Sequence, residues 1–350
     1  MLKLKKRPSP GKSNKEPLPK ATMKMGFEIH IGKPLGSGMH ARVCECTTSM
    51  WPVAAIKLPI SEEGPFSSDS LRANRQHCLM DFRREWKLNE ILTLAATWLL
   101  AFQGGEDELE AMRMHPGYKN IIQCFRFYTQ LDKGTPALLM ERCTDVTLQK
   151  YMRENEILYD TDQTMHLFKA VFAGIRYMAY CGSIRHRDIH WCNLMRGQDG
   201  HWKFIDYGAA TMVQPEDVAE ACTLDITAFV QTLFVNMSSD WVYTFNEEKV
   251  PHLWGLLYEL AFLSQPAFFQ NYKVPEKQHA RVQHLQSLLF TPKELQTMEC
   301  SEQCLQQNAI RTRHIERLRA ELPEDHYNLD ELHRVTLTQR GYRFHQRLAP

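Results

Sequence analysis

The chain has 350 residues, 43% of them apolar and 10% aromatic, which excludes a wholly disordered protein and sets the scale at two domains or one two-lobed unit. A net charge of +1 argues against nucleic acid or an acidic membrane surface as a partner held by bulk electrostatics. Ten scattered cysteines predict reduced thiols in an intracellular protein, and neither Cys44 with Cys46 nor Cys300 with Cys304 supplies enough close ligands for zinc.

Residues 1–25, rich in Lys, Pro and Ser, predict a disordered basic tail without the apolar core of a secretory signal. The "KLKKRP" cluster within it is either a nuclear address or simply solvated. From residue 26 the pattern alternates. "FEIHIGKPLG" and "ARVCECTT" predict two strands joined by "GSGM", and "WPVAAIKLPI" a third, with Val53, Ala55 and Lys57 on one face. Residues 61–80 predict a loop insertion, and residues 80–102 a helix ended by "GGEDE". Its apolar part, Ile91 to Phe102, is too short to span a bilayer, so no membrane span is expected. "IIQCFRFYTQ" and "PALLMERC" predict two more strands. Helical patterns begin at Thr147 and dominate beyond Asp225. The order predicts an α+β, two-lobed chain: a small β-rich lobe over 26–141, and a larger helical lobe with a helical C-terminal extension over 142–350.

Several residues in this order carry chemistry. Gly36 and Gly38, around Ser37, let the backbone approach a bulky anion where a Cβ would collide, or else form an ordinary hairpin turn. Lys57, on an apolar strand, either snorkels to solvent or needs an anionic partner such as a phosphate and a carboxylate together. Glu85 or Glu90 could supply that carboxylate; the apolar stripe of Phe82, Leu88 and Leu92 favours Glu85. In "HRDIHWCN", Asp188 could accept a proton from a substrate hydroxyl, and the Asn193 amide oxygen could hold a divalent cation. "LMR" and "HWKFI" predict a hairpin around "GQDG" that returns Asp206 beside Asn193, an oxygen-rich pair suited to Mg²⁺, with Gly208 at the exit.

Taken in order, these motifs resemble the protein kinase superfamily across roughly residues 27–235. Gly36-Ser37-Gly38 resembles the Gly-rich loop, with Ala41 where a third glycine usually stands. Lys57 resembles the strand lysine, His186-Arg187-Asp188 through Asn193 the catalytic loop, and Asp206-Tyr207-Gly208 the metal-binding triplet with Tyr for Phe. "LLMERC" resembles the hinge, with Met140 as gatekeeper, and the helix from Asp225 resembles the one that anchors the larger lobe. The resemblance implies a bilobal fold and ATP and Mg²⁺ as cofactors. Gly36, Ser37, Gly38, Val43, Ala55, Lys57, Met140, Glu141 and Cys143 would then line the nucleotide. Lys57 would pair with Glu85, Asp188 would act on the acceptor hydroxyl, and Asn193 and Asp206 would bind the metal.

Three departures stand out. His190 replaces the lysine usual in Ser/Thr kinases, a form that resembles haspin-type kinases and also small-molecule phosphotransferases. Asp225 follows Asp206 by only nineteen positions, with no Ala-Pro-Glu triplet, so the usual peptide platform is missing or rebuilt. Switching by phosphorylation of nearby Thr211 or Thr223 is not expected. Residues 93–115 form an insertion, either a partner surface or padding of the small lobe. Arg313, Glu316 and Arg317, within the run from Arg311 to Arg319, predict a salt-bridged solvated face. The expected activity is phosphoryl transfer to a protein or small-molecule hydroxyl acceptor: an atypical Ser/Thr protein kinase first, a small-molecule or lipid kinase second, a pseudokinase scaffold third.

Overall fold

A computed structural model describes residues 29–38, 40–60, 68–93, 106–131, 135–155, 161–236, 255–257, 259–263 and 274–322. The expected N-terminal tail lies outside these residues. Five strands form the first sheet: β1 (Ile29–Ser37), β2 (Ala41–Thr48), β3 (Ala54–Pro59), β4 (Cys124–Tyr128) and β5 (Ala137–Glu141), in the order β1-β2-β3-β5-β4 and antiparallel throughout. Side chains alternate across it with period two. Ile29, Cys44, Cys46, Ala54, Ile56, Leu58 and Leu139 bury one face, where Trp51 stacks on Phe125. Ala55, Leu138, Met140 and Cys124 belong to the core behind the other face, and helix α1 packs there.

Helix α1 spans Ser68–Leu92. It therefore starts inside the stretch expected to be a loop insertion and ends at Leu92; residues 94–102 of the expected helix lie outside the described residues. The Gly, Pro and Ser that suggested a loop cluster just before and in its first turn, where such residues start helices. Its apolar residues Phe82, Leu88, Ile91 and Leu92 are buried. Asn89 fixes its depth, donating to the Ile122 carbonyl at 2.6 Å and accepting from Cys124 N–H at 2.8 Å.

Of the insertion at 93–115, residues 94–105 lie outside the described residues. The remainder contains helix α2 (Glu106–Met114), with Ala111 and Met112 buried. "PALLMERC" is two strands rather than one. β5 ends at Glu141, and β6 (Cys143–Thr147) belongs to a separate sheet with β8 (Leu194–Gly197) and β9 (Trp202–Phe204). A short strand, β7 (Ile184–Arg185), pairs with β10 (Thr211–Met212).

Among the described residues the larger part beyond β6 is mainly helical, as expected: α3 (Leu148–Asn155), α4 (Thr161–Arg176) continuing into a π turn (Tyr177–Cys181), α5 (Val218–Asn236), α6 (Glu276–Leu289), α7 (Pro292–Gln307) and α8 (Ala309–Glu321). Thr291 and Glu294 form a capping box that starts α7. Among the described residues no helix is long and apolar enough to cross a membrane. All ten cysteines are free thiols.

A buried ion pair ties α7 to the segment that bridges α2 and β4. Arg176, at the end of α4, donates to both carboxylate oxygens of Glu302 at 2.5 and 2.8 Å. His115 Nε2 meets the same carboxylate at 3.3 Å, while His115 Nδ1 accepts from Gly117 N–H. Burial holds His115 below the ordinary imidazole value, which suits this neutral tautomer. Gly117 is required because a Cβ there would run into the Ala173 carbonyl on α4. Glu302→Ala would strand the Arg176 guanidinium in a buried setting. The expected cost is about 3–5 kcal/mol, because removing one partner leaves an uncompensated charge; thermal unfolding should show a midpoint roughly 10 °C lower.

Candidate active site

The strand register sets the upper wall of the cleft. Gly36 lies opposite Val43, Val43 opposite Lys57, and Ala55 opposite Met140. Residues directly opposed across a sheet share a face, so Val43, Ala55, Lys57 and Met140 project to one side, under the turn after β1. Gly38 N–H donates to the Ala41 carbonyl at 2.7 Å; Met39 lies outside the described residues. Among the described residues, a Cβ on Gly36 would meet no atom within 4 Å, and one on Gly38 only the Ala41 carbonyl at 3.8 Å. Packing inside the chain therefore does not require either glycine.

Lys57 is the hub. Its Nζ lies 2.8 Å from Glu85 Oε2 and 2.9 Å from Asp206 Oδ1. Glu85, 1% exposed, is the carboxylate that meets it. Glu90 instead lies 3.9 Å from Lys87, which resolves the choice the sequence left open. Burial alone would lower the Lys57 pKa, but Asp206 and Glu85 together raise it well above the ordinary lysine value. The Lys57 ammonium in turn holds Asp206 below the usual carboxylate range. The stability from that pair is therefore present above the ordinary Asp value and is lost as pH falls through the depressed one. Asp206 is half exposed, at 48% of its side chain. Its backbone is left-handed, with φ 63° and ψ 72°, an uncommon conformation that an Asp tolerates better than most residues. This bend turns the carboxylate towards Lys57 while the next residue, Tyr207, enters the core.

The lower wall is the catalytic-type loop. The expected hairpin is present, with Leu194 opposite Phe204 and Arg196 opposite Trp202. Ile205 N–H donates to the Asn193 carbonyl at 3.0 Å, so Asn193 and Asp206 leave the same end of the ladder. Asn193 Nδ2 donates to the Asp188 carboxylate at 2.8 Å and to its carbonyl at 3.0 Å, which leaves its Oδ1 as an acceptor. His190 Nε2 lies 3.6 Å from the same Asp188 carboxylate, and Cys192 N–H donates to His190 Nδ1 at 3.2 Å. The structure thus brings Lys57, Glu85 and Asp206 into one chain of contacts and Asn193, Asp188 and His190 into a second, joined through the hairpin end.

The wall at the hinge follows the same order. Met140, next to last in β5, is buried, and Glu141 turns its side chain away to accept from Gln123 N–H at 2.8 Å and to pair with Lys203 at 3.5 Å. Burial pushes the Cys143 thiol up to about 12, so it behaves as a small apolar group.

Two organisers were not read from the sequence as such. Asp225, on α5, was noted only as the start of a helix. It is buried and accepts from the backbone N–H of His186 at 2.7 Å and of Arg187 at 3.2 Å. The signal was available: an acidic residue within the apolar run "DITAFV" needs donors. Arg187 takes a left-handed φ of 68° under this clamp. The second is Ile205, whose carbonyl meets His186 Nε2 at 3.2 Å. Thr223 lies within α5 and its hydroxyl meets His279 Nδ1 at 2.8 Å, so it belongs to a helix rather than to the segment after Asp206.

The sequence model of the protein kinase domain matches residues 103–329. The chain belongs to this family. The match begins past Lys57 and Glu85 and takes in Asp188, Asn193 and Asp206; the upper wall of this kinase domain joins them by geometry. Similar proteins include the mouse sperm motility kinase 2B, 32% identical over 110 residues, which cover 31% of this chain and 21% of that protein. The serine/threonine-protein kinase PLK4 of Drosophila yakuba is 25% identical over 134 residues, 38% of this chain and 17% of its own. The same-named kinase of Drosophila melanogaster is 28% identical over 112 residues, 32% and 14%. The chain thus spans about a fifth or less of the length of these relatives.

The His190 arrangement makes a pH prediction. Burial would lower this imidazole, but the Asp188 carboxylate 3.6 Å away and the neighbouring Cys192 raise it to about 9. The imidazolium–carboxylate contact is therefore complete below the ordinary value of about 6.5 and lost as pH rises through about 9. NMR titration of the His190 ring should show this raised midpoint. Asp188→Asn should lower it towards the ordinary value, because the largest raising effect would be gone and burial would be opposed by Cys192 alone.

Proposed function

We propose that this kinase domain is an ATP- and Mg²⁺-dependent phosphotransferase acting on Ser or Thr hydroxyls of proteins, with a catalytic loop of the divergent, His-bearing kind. The observation that carries the reading is the Glu85–Lys57–Asp206 chain of contacts meeting the Asn193–Asp188–His190 set at the end of one hairpin. The donor set fits the cofactors. Asn193 and Asp206 offer hard oxygen ligands of the type Mg²⁺ prefers. Gly36 and Gly38 leave open the space their Cβ atoms would fill, a cradle suited to phosphate beside Ser37. Met140, Ala55 and Val43 would cover the adenine, with backbone groups of Glu141 and Cys143 at its edge. ATP with Mg²⁺ would supply the transferable phosphoryl group and neutralise part of its charge.

The chain's own residues do the rest. Lys57, fixed by Glu85, binds phosphate oxygens and keeps them in line. Asp188 accepts the proton of the acceptor hydroxyl as the hydroxyl attacks. Asn193 orients the Asp188 carboxylate through Nδ2. His190 faces the same carboxylate through Nε2, at the position where Ser/Thr kinases usually carry a lysine, and becomes its cationic partner when the ring is protonated. We assign 26–141 to the small lobe and 142–350 to the large lobe with its extension. The free thiols and the use of ATP support an intracellular place of work.

A small-molecule or lipid acceptor is the second reading, and one observation favours it. Only residues 213–217 separate β10 from α5, which leaves little chain for a peptide platform. Labelled phosphate from ATP, offered to proteins and to sugars, amines and lipids in parallel, separates the two: transfer only to the small molecules overturns the protein-kinase reading.

Asp188→Asn should lower turnover by about a thousandfold, the scale of a lost general base, with nucleotide affinity near native by calorimetry. Asp206→Ala should instead weaken Mg²⁺-dependent nucleotide binding. Thr211→Ala should leave turnover within about twofold, since loop phosphorylation is not required; a collapse of turnover in steady-state assays would contradict this.

A further inference from the structure

Helix α8 carries part of the salt-bridged outer face that its arginine run suggested, with Arg317 3.9 Å from Glu321 one turn on, but one arginine of the run turns inward. Arg313 and Arg317 are exposed, but Arg311 is buried at 3% exposure. It follows the end of α7 closely, with its own N–H donated to the Asn308 side chain at 3.0 Å. Its guanidinium donates through Nη2 to the Ile91 carbonyl at 2.8 Å and through Nη2 and Nε to the Cys181 carbonyl at 2.6 and 3.0 Å. Nη1 lies 3.7 Å from the Met112 sulfur.

Both carbonyls sit at helix C-termini. Ile91 is in the last turn of α1, and Cys181 closes the π turn after α4. Carbonyls there lack helical partners and favour a cation. A planar fork serves two such ends at once, which a lysine cannot do in the same geometry. One of these helices carries Glu85. The other leads through β7 into His186, Arg187 and Asp188. A single side chain from the far end of the chain therefore ties the glutamate helix to the entrance of the catalytic loop.

Three further contacts run the same way. Tyr177 O–H donates to the Leu92 carbonyl at 3.0 Å. Lys87, on α1, lies 3.6 Å from Glu321 on α8. Arg319 Nη2 donates to the Val213 carbonyl, just past β10, at 2.7 Å. Helix α8 thus touches α1, the π turn and the short segment between Asp206 and α5.

We infer that Arg311 is a positioning residue: by joining the ends of α1 and of the π turn it holds Glu85 at the depth where it meets Lys57, and α8 is a built-in brace for that pair. It touches no reacting atom. Ile91 lies six residues beyond Glu85, about 9 Å along one rigid helix, so a shift at the anchored end moves the carboxylate directly. The inference rests on the phosphotransfer reading of Lys57 and Glu85. It also gives the short segment after Asp206 a physical counterpart, since the assembled state is held from α8 rather than by a phosphorylated loop.

The test uses the full chain with Arg311→Met, Arg311→Lys, Glu85→Gln and the Glu85→Gln/Arg311→Met double variant. Two quantities are read: kcat and KM for ATP, and amide hydrogen exchange over the last two turns of α1. Arg311→Met should lower kcat about 100-fold, the scale of an ångström-sized misplacement, with KM for ATP changed less than about threefold. Arg311→Lys should fall between it and the native protein. In the Glu85→Gln background the Arg311→Met change should add less than about twofold, because residues acting through one another are non-additive. Protection of α1 should drop at least about tenfold while the far face of the sheet keeps its own. Effects of the two substitutions that multiply, or α1 protection that stays native, would overturn the inference. If Arg311→Met does not fold, Arg311→Lys carries the same comparisons. A native protein that turns over no ATP would sink the phosphotransfer reading alone; the exchange measurement would then decide the brace by itself.

Discussion

The site depends on one buried ammonium. Lys57 sits on a strand with apolar neighbours, and leaving its charge there without partners would cost more than the strand could recover. Two carboxylates answer it, one from α1 and one from the exit of a hairpin in the other lobe. That requirement fixes three things together: the depth of α1, the left-handed bend at Asp206, and the distance between the lobes. Breaking either contact leaves a charge in a poor environment, so the geometry is held more sharply than packing alone would hold it.

The same device recurs away from the cleft. Asp225 collects two backbone N–H groups and thereby shapes the loop that ends at Asp188. Glu302 gathers Arg176 and His115, closing α7 over the turn before β4. Arg311 gathers the ends of two helices. Each is a buried charge bridging elements distant in sequence. Such bridges add little net stability compared with an apolar replacement of equal shape, but they specify where each element must stop. Here they converge on the two pieces of backbone that must stay in register, α1 and the catalytic-type loop.

The family's sequence model matches this chain from residue 103 onward, whereas the upper wall was found by its spacing and then by its contacts. Its legibility was uneven. The hairpin from Leu194 to Phe204 was legible, because two short apolar runs around the turn residues "GQDG" can pair only with each other and so return Asp206 beside Asn193. The α+β order and the facing of Ala55 and Lys57 followed from period-two alternation. The start of α1 did not, because the Ser, Gly and Pro around residue 65 signal a loop and a helix N-terminus alike. Nor did β6, whose "CTDVT" is too polar to stand out and becomes a strand only because β8 lies beside it. Thr223 was grouped with Thr211 near the segment after Asp206, although the apolar run that follows it continues the helix that contains it.

The sequence by itself determined which groups could do chemistry, since Lys57, Asp188, Asn193 and Asp206 are named by residue type, spacing and alternation, all of which are local. Only the tertiary structure decided which acidic residue meets Lys57, what holds Asp188, and where Arg311 goes. Those answers depend on contacts across tens to hundreds of residues, and no periodicity in the chain records them. A buried charge announces that it needs a partner, but the fold alone supplies one.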